Sequence, residues 1–421
     1  MRLCTLLSAF CLLVSLAPSF GSSQSWEVSP ILSVPGSWLP VSIATDRLCL
    51  PRVAFGISGS GLVGYANTDG DTWSFTYPDS GGALSSIELC LDSRDSPHMS
   101  YVVSRYPRPD ELRYAHAVGD TWRVETVVQN ATWCALALAR DAAPNLLFLD
   151  SAAVKYARKS GDTWNIVTVP AIQTDSLRLL GSASLAVDTS GRPGVAVSWW
   201  KSCTPRDSMW LSFFEFDGED WHRFDVDSAQ GWAPWDFWPV RVRYDPATDL
   251  FAVVYRACAY ATGRNGSWQI EGAGLTIGNV RCDFALHQGR PQIVCASPRD
   301  PVTYQWRWAG GWGDEMVQNT GVVSNPSIAV DRTGRPHVAY QWADALHYGR
   351  RLFVGVEEGC RPQASSFHLQ PSILRHLPAG AVVLDAMGRR VLGPEPGVYF
   401  VRRAYGVGRE ASSVTKVVVA R

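Results

Sequence analysis

The sequence predicts an all-β protein: a seven-bladed β-propeller closed by an N-terminal strand, followed by a small C-terminal β-sandwich-like domain. Three observations carry this reading. A glycine turn followed by Trp recurs six times, an Asp turn that leads into a Pro-initiated strand recurs between those Trp, and a seventh Trp stands alone near the start.

The Trp marker reads Gly70-Asp71-Thr72-Trp73, Gly119-Asp120-Thr121-Trp122 and Gly161-Asp162-Thr163-Trp164. Looser copies end at Trp221, Trp268 and Trp312, and Trp26 is the isolated one. Successive Trp lie 47, 49, 42, 57, 47 and 44 residues apart, which is the span of one four-stranded blade. Asp188-Thr189-Ser190-Gly191-Arg192-Pro193 and Asp331-Arg332-Thr333-Gly334-Arg335-Pro336 are the clean copies of the second marker. Asp46…Pro51 and Asp92…Pro97 keep the offset, Pro144 and Pro291 keep only the Pro, and Asp245…Leu250 only the Asp. Asp first and Gly fourth suit a type I turn, and Pro is tolerated where a strand starts. A third marker is a Tyr-Ala strand at Tyr65, Tyr114, Tyr156 and Tyr260, with Tyr348 alone keeping the Tyr. Each unit is therefore an apolar strand, a Pro strand, a Tyr strand and a Trp strand. The seventh unit ends at Tyr348 without a Trp strand, and Trp26 is its natural donor, which removes a free sheet edge.

The flanks are of another kind. Arg2 followed by the apolar run Leu3–Ala17, with small Ser19 and Gly21, predicts a signal peptide over 1–22 and export to the cell surface or medium. The propeller is expected over 23–352, a linker over 353–372 and a C-terminal domain over 373–421, with no transmembrane span. A net charge of −1 without Lys/Arg runs gives no electrostatic footprint for nucleic acid.

The repeat resembles a family of extracellular bacterial propellers with the pattern apolar-Asp-x-x-Gly-x-Pro-His…Tyr-Ala…Gly-x-x-Trp. Asn67–Trp73 is also similar to the Asp-box of sialidase-type propellers, Ser-x-Asp-x-Gly-x-Thr-Trp, but is one residue too short, so the likeness is architectural. In the C-terminal segment, Asp385-Ala386-Met387-Gly388-Arg389-Arg390-Val391, Pro396-Gly397-Val398-Tyr399-Phe400-Val401 and Lys416-Val417-Val418 stand in order. That order resembles the type A sorting domain of the type IX (Por) secretion system. The resemblance implies delivery across an outer membrane through secretion machinery that contacts residues 373–421.

Function is less legible. Asp188, Asp331, His98 and His337 belong to the repeat and read as scaffold. The loop face is richest between Trp164 and Leu250, with Trp199, Trp200, Lys201, Arg206, Trp232, Trp235, Asp236 and Trp238. Flat aromatics beside charges suit stacking on sugar rings or anchoring a protein. They equally suit packing between blades. No nucleophile with its base, phosphate loop or Cys/His cluster appears, so no catalytic residue, cofactor or metal is assigned. The expectation is a surface module that binds glycan or protein. A sialidase-like glycoside hydrolase or lyase and a structural surface protein are the alternatives. A hairpin centred on Gln288-Gly289 sets Leu286 against Pro291 and Cys282 against Cys295, a possible disulfide. Cys203 and Cys258, in loops of neighbouring blades, are a second possible pair. Reduced, packed thiols are the competing state.

Overall fold

The computed structural model describes residues 26–352 except 34–39, 58, 106, 151–152, 171–177, 202–207, 231–239, 256–258, 273–280, 298–300, 309–310 and 320–322. It also describes four strands beyond them: Ile373–Leu374, Val382–Leu384, Gly397–Ala404 and Ser412–Val419. The chain divides into a unit of residues 1–360 and a unit of residues 361–421.

The first unit holds seven four-stranded antiparallel sheets, one per blade. Blades 1 to 6 span residues 41–80, 83–129, 133–168, 178–230, 241–272 and 281–318. Blade 7 takes three strands from residues 323–351, and its outermost strand is Trp26–Ser33, paired from Trp26↔Arg351 to Ser33↔Ala345. The closure expected from the isolated Trp26 is thus present. Among the described residues of the second unit there is one mixed sheet, with Ile373–Leu374 parallel to Ser412–Val419.

Burial follows position in the blade. The second strand Pro97–Arg105 is covered on both faces by neighbouring blades and reads as a continuous buried run, PHMSYVV. The outermost strand Thr121–Gln129 has only exposed and half-buried positions. Neighbouring blades are joined by one repeated contact, in which the Trp of each outermost strand meets an aromatic of the preceding blade edge-on. The pairs are Trp122–Tyr65, Trp164–Tyr114, Trp221–Tyr156, Trp268–Phe213, Trp312–Tyr260, Trp26–Tyr304 and Trp73–Tyr348. Their centroids lie 5.3, 5.4, 5.7, 4.8, 5.8, 5.3 and 5.4 Å apart, in the favoured edge-to-face range. The Trp and Tyr markers are therefore two halves of one contact.

The innermost strands pose a different problem, since their free edges would bury unpaired N–H groups. Hydroxyls of the preceding blade accept these donors. Leu89 N donates to Ser42 Oγ at 3.0 Å, Val240 N to Ser182 Oγ at 2.7 Å, and Val242 N to Ser184 Oγ at 3.0 Å. Across the closure, Ile43 N donates to Ser327 Oγ at 3.3 Å. In blade 6 a carboxylate takes the role, with Ile328 N donating to Asp283 Oδ2 at 3.2 Å.

Candidate functional site

The Asp turns act as scaffold in the way their spacing suggests. Asp331 Oδ1 accepts from Thr333 N at 2.8 Å and Arg335 N at 3.0 Å, while Gly334, at φ +87°, closes the turn. Asp46, Asp92 and Asp188 accept from the same two offsets. A polar side chain at the start of the second strand then links the turn region to the Tyr strand. In blade 7, His337 Nδ1 lies 2.7 Å from Tyr348 Oη and Nε2 3.2 Å from Asp331 Oδ2. In blade 2, His98 bonds the Tyr114 hydroxyl and lies 3.9 Å from Asp92. Blades 3 and 6 use carboxamides. Tyr156 donates to Asn145 Oδ1 at 2.5 Å, and Tyr304 donates to Gln292 Oε1 at 2.7 Å.

These residues share one register position, two before the residue paired with the Tyr. The pairs Ala339↔Tyr348, Ser100↔Tyr114, Leu147↔Tyr156 and Val294↔Tyr304 place His337, His98, Asn145 and Gln292 there. In blade 5 the pair Val254↔Tyr260 places Ala252 there. A methyl group stands where blades 2, 3, 6 and 7 carry an imidazole or carboxamide; blade 1 has Arg52 and blade 4 has Gly194 at this position. The cause is a longer turn. Six residues, 245–250, separate Tyr244 from its partner Phe251, against five, 331–335, between Val330 and Pro336. Phe251, not Leu250, therefore takes the Pro place, which corrects the offset read from Asp245…Leu250.

The missing side chain leaves a cleft of about 300 Å³ between blades 5 and 6. Asp245, Ala252 and Tyr260 line its blade 5 side, and Arg290, Arg307 and Trp308 its blade 6 side. No hydrogen bond holds the Tyr260 hydroxyl among the described residues. Its pKa lies above the ordinary value, first through burial and then through the Asp245 and Glu271 carboxylates. Asp245 Oδ1 accepts from Ala247 N at 3.1 Å and Oδ2 from Thr248 Oγ1 at 2.7 Å. Arg307 Nε donates to Glu271 Oε2 at 2.7 Å across the blades, and that bond holds the Glu271 carboxyl below its ordinary range. Trp308 is outside the Trp repeat, ends the third strand of blade 6, and is 52% exposed.

A second polar group spans the innermost strands. Arg243 Nη2 lies 3.0 Å and Arg241 Nε 3.7 Å from Asp283 Oδ1, and Arg241 Nη2 lies 3.9 Å from Glu88 Oε1 of blade 2. Burial raises the Glu88 carboxyl, with Arg241 pulling it back. Each of these charges is answered by another, so the group reads as a tie between blades.

The aromatic cluster expected on the loop face is placed only in part. Trp199 is 1% exposed and packs in the core between blades 3 and 4, with the Arg223 guanidinium 5.6 Å from its ring. It therefore offers no stacking face, because this second strand is covered on both faces by neighbouring blades and is buried from Pro193 through Trp199. Trp200 and Lys201 lie on the same strand, and their side chains are outside the described residues, as are Arg206, Trp232, Trp235, Asp236 and Trp238.

The hairpin register holds, with Leu286↔Pro291 and Cys282↔Cys295 paired across a turn in which Gln288 and Gly289 both have positive φ. The Cys282 and Cys295 sulfurs stand 2.8 Å apart, yet Cys295 is disulfide-bonded to a partner outside the described residues, and so is Cys49. Directly facing strand positions hold their Cβ atoms about 4.5–5.5 Å apart, beyond the usual disulfide span of about 3.5–4.5 Å. Cys203 and Cys258 fall outside the described residues. Among the described residues no group of His, Cys, Asp or Glu could hold a metal ion, and no helix is long and apolar enough to cross a membrane.

No family model and no curated protein matches the chain. Several solved structures are similar to it. A Hadza microbial sialidase is 11% identical with a TM-score of 0.45, over 73% of this chain and 74% of that one. An α-L-arabinofuranosidase from Fusarium graminearum is 10% identical with a TM-score of 0.48, over 78% and 98%. A Dyadobacter fermentans protein of unknown function is 11% identical with a TM-score of 0.46, over 77% and 98%. At these identities and scores the likeness transfers no residue role and no activity to this chain.

Proposed function

We propose that this chain is an exported or cell-surface propeller that binds glycan in the cleft between blades 5 and 6. The observation that carries the reading is the cleft itself, where an off-repeat, half-exposed Trp308 stands beside the Tyr260 hydroxyl, Arg290 and the Asp245 carboxylate. A flat aromatic face takes the apolar face of a pyranose, and the Tyr260 hydroxyl, Asp245 and Arg290 supply partners for ring hydroxyls.

A glycan array probed with the mature protein tests this. At least one saccharide class should bind, and Trp308→Ala should weaken that binding about tenfold or more, since such anchors are worth about 1–3 kcal/mol. Equal binding by the variant would remove the cleft from the account. Aryl glycosides run beside the array separate binding from hydrolysis, and release of the aryl group would favour the hydrolase reading.

The resemblance of residues 373–421 to a type IX sorting domain supports export by that route. A chain ending at Arg351 should fold as a propeller yet stay inside a host that exports the full chain. Normal surface delivery of the shortened chain would sink this part of the proposal.

A further inference from the structure

The cleft's floor suggests which saccharides it takes, an inference that rests on the glycan reading above. We propose that the ligand places an acetamido group, that of an N-acetylhexosamine, in the slot that Ala252 leaves open beside Tyr260 and Asp245.

Blades 3, 6 and 7 show what this slot can hold. In blade 3 a carboxamide occupies it, with Asn145 Oδ1 accepting from the Tyr156 hydroxyl and Nδ2 donating to Ala143 O at 2.8 Å. In blade 6 another does so, with Gln292 Oε1 accepting from Tyr304 and Nε2 donating to Gly334 O at 3.1 Å. In blade 7 the imidazole of His337 stands between the Tyr348 hydroxyl and the Asp331 carboxylate. Each occupant meets a tyrosine hydroxyl on one side and a backbone carbonyl or a carboxylate on the other.

Blade 5 keeps the tyrosine and the carboxylate, Tyr260 and Asp245, and lacks the occupant. An acetamido group supplies what is missing. Its carbonyl accepts from the Tyr260 hydroxyl, its N–H donates to Asp245, and its methyl rests on the apolar lining of Ala252, Leu250 and Pro291. The pyranose it hangs from then reaches the mouth, where Trp308 offers a stacking face. A simple hexose carries a hydroxyl at that carbon and leaves the apolar part of the slot unfilled. A site built for a polar group discriminates strongly against ligands that lack it, because its own groups are left unpaired.

Calorimetry on the full mature chain with methyl N-acetylglucosaminide and methyl glucoside tests the inference. The acetamido sugar should bind about tenfold or more tightly than the glucoside. Ala252→Gln puts a carboxamide into the slot from the chain itself, as Gln292 does, and should abolish that preference while leaving the melting temperature equal or higher. Tyr260→Phe, which keeps the ring packed on Trp312, should cost about 3–10-fold, the worth of one neutral hydrogen bond. Equal affinity for the two sugars, or binding untouched by both substitutions, would overturn the acetamide slot while leaving the glycan reading standing. Binding of neither sugar and of no saccharide on the array would overturn both. Saturation by N-acetylglutamine amide with no saccharide binding would reassign the slot to a peptide carboxamide.

Discussion

Deleting residues 26–33 is expected to abolish cooperative folding of the propeller. The strand Trp26–Ser33 is the outermost strand of blade 7, more than 300 residues away in sequence from Arg351, with which it pairs. Its Trp26 is 3% exposed, donates from Nε1 to Glu315 Oε1 at 2.7 Å, and meets the Tyr304 ring at 5.3 Å. Truncating a buried Trp typically costs about 3–5 kcal/mol. The net stability of a folded domain is about 5–15 kcal/mol, so Trp26→Ala alone removes a large share of it. The full deletion also strips a ladder and bares the edge of Ala345–Arg351, which invites aggregation. Urea unfolding followed by Trp fluorescence should show a lowered midpoint for Trp26→Ala and no cooperative transition for the deletion. A deletion protein that melts with its parent would show that the ring closes without this strand.

Acidification from pH 7 to pH 4 is expected to cost on the order of 3 kcal/mol through His98 alone. Burial holds its imidazole at about 4, against an ordinary 6.5, with Asp92 opposing that shift and His116 adding to it. Below pH 6.5 the unfolded chain takes up a proton that the folded chain refuses. Stability is therefore full above that pH and declines down to about pH 4, where the folded protein protonates as well. At about 1.4 kcal/mol per pH unit, a gap of about 2.5 units gives the figure above. His116, His337 and His347 are also lowered by burial and act in the same direction. Asp331 extends the loss to lower pH. Burial alone would raise its carboxyl, but bonds from His337, Thr333 and Arg335 hold it at about 2, so its contribution falls away from pH 3.8 downward. Urea midpoints at pH 7 and pH 4.5 for the parent and His98→Gln check this. The variant should lose distinctly less on acidification, and equal losses would rule His98 out as the titrating group.

The architecture was legible because each marker reports a local need that recurs. The turn before Trp73 needs Gly, the turn at Asp331 needs its carboxylate, and Trp26 needs a sheet to complete. Periodic spacing turned those local needs into seven blades. The ring of serines that seats the innermost strands went unread, although Ser42-Ile43-Ala44, Ser184-Leu185-Ala186 and Ser327-Ile328-Ala329 carry a visible pattern. Serine is common in strands and turns alike, so only the contacts to Leu89, Val242 and Ile43 single it out.

Sequence by itself determined the repeat, the order of strands within each blade, the donor of the closing strand and the facing of Cys282 with Cys295. These follow from period-two alternation and turn chemistry, which act over a few residues. The tertiary structure alone decided that Trp199 is core while Trp308 is surface. It also decided that Cys295 takes another sulfur and that Ala252 occupies the slot of His337. In blade 5 one extra turn residue slides the whole second strand by one position, so counting from Asp245 lands on the wrong side chain. A cleft made by a missing side chain has no residue of its own to announce it. It exists only where two blades meet over a place that blades 2, 3, 6 and 7 keep filled.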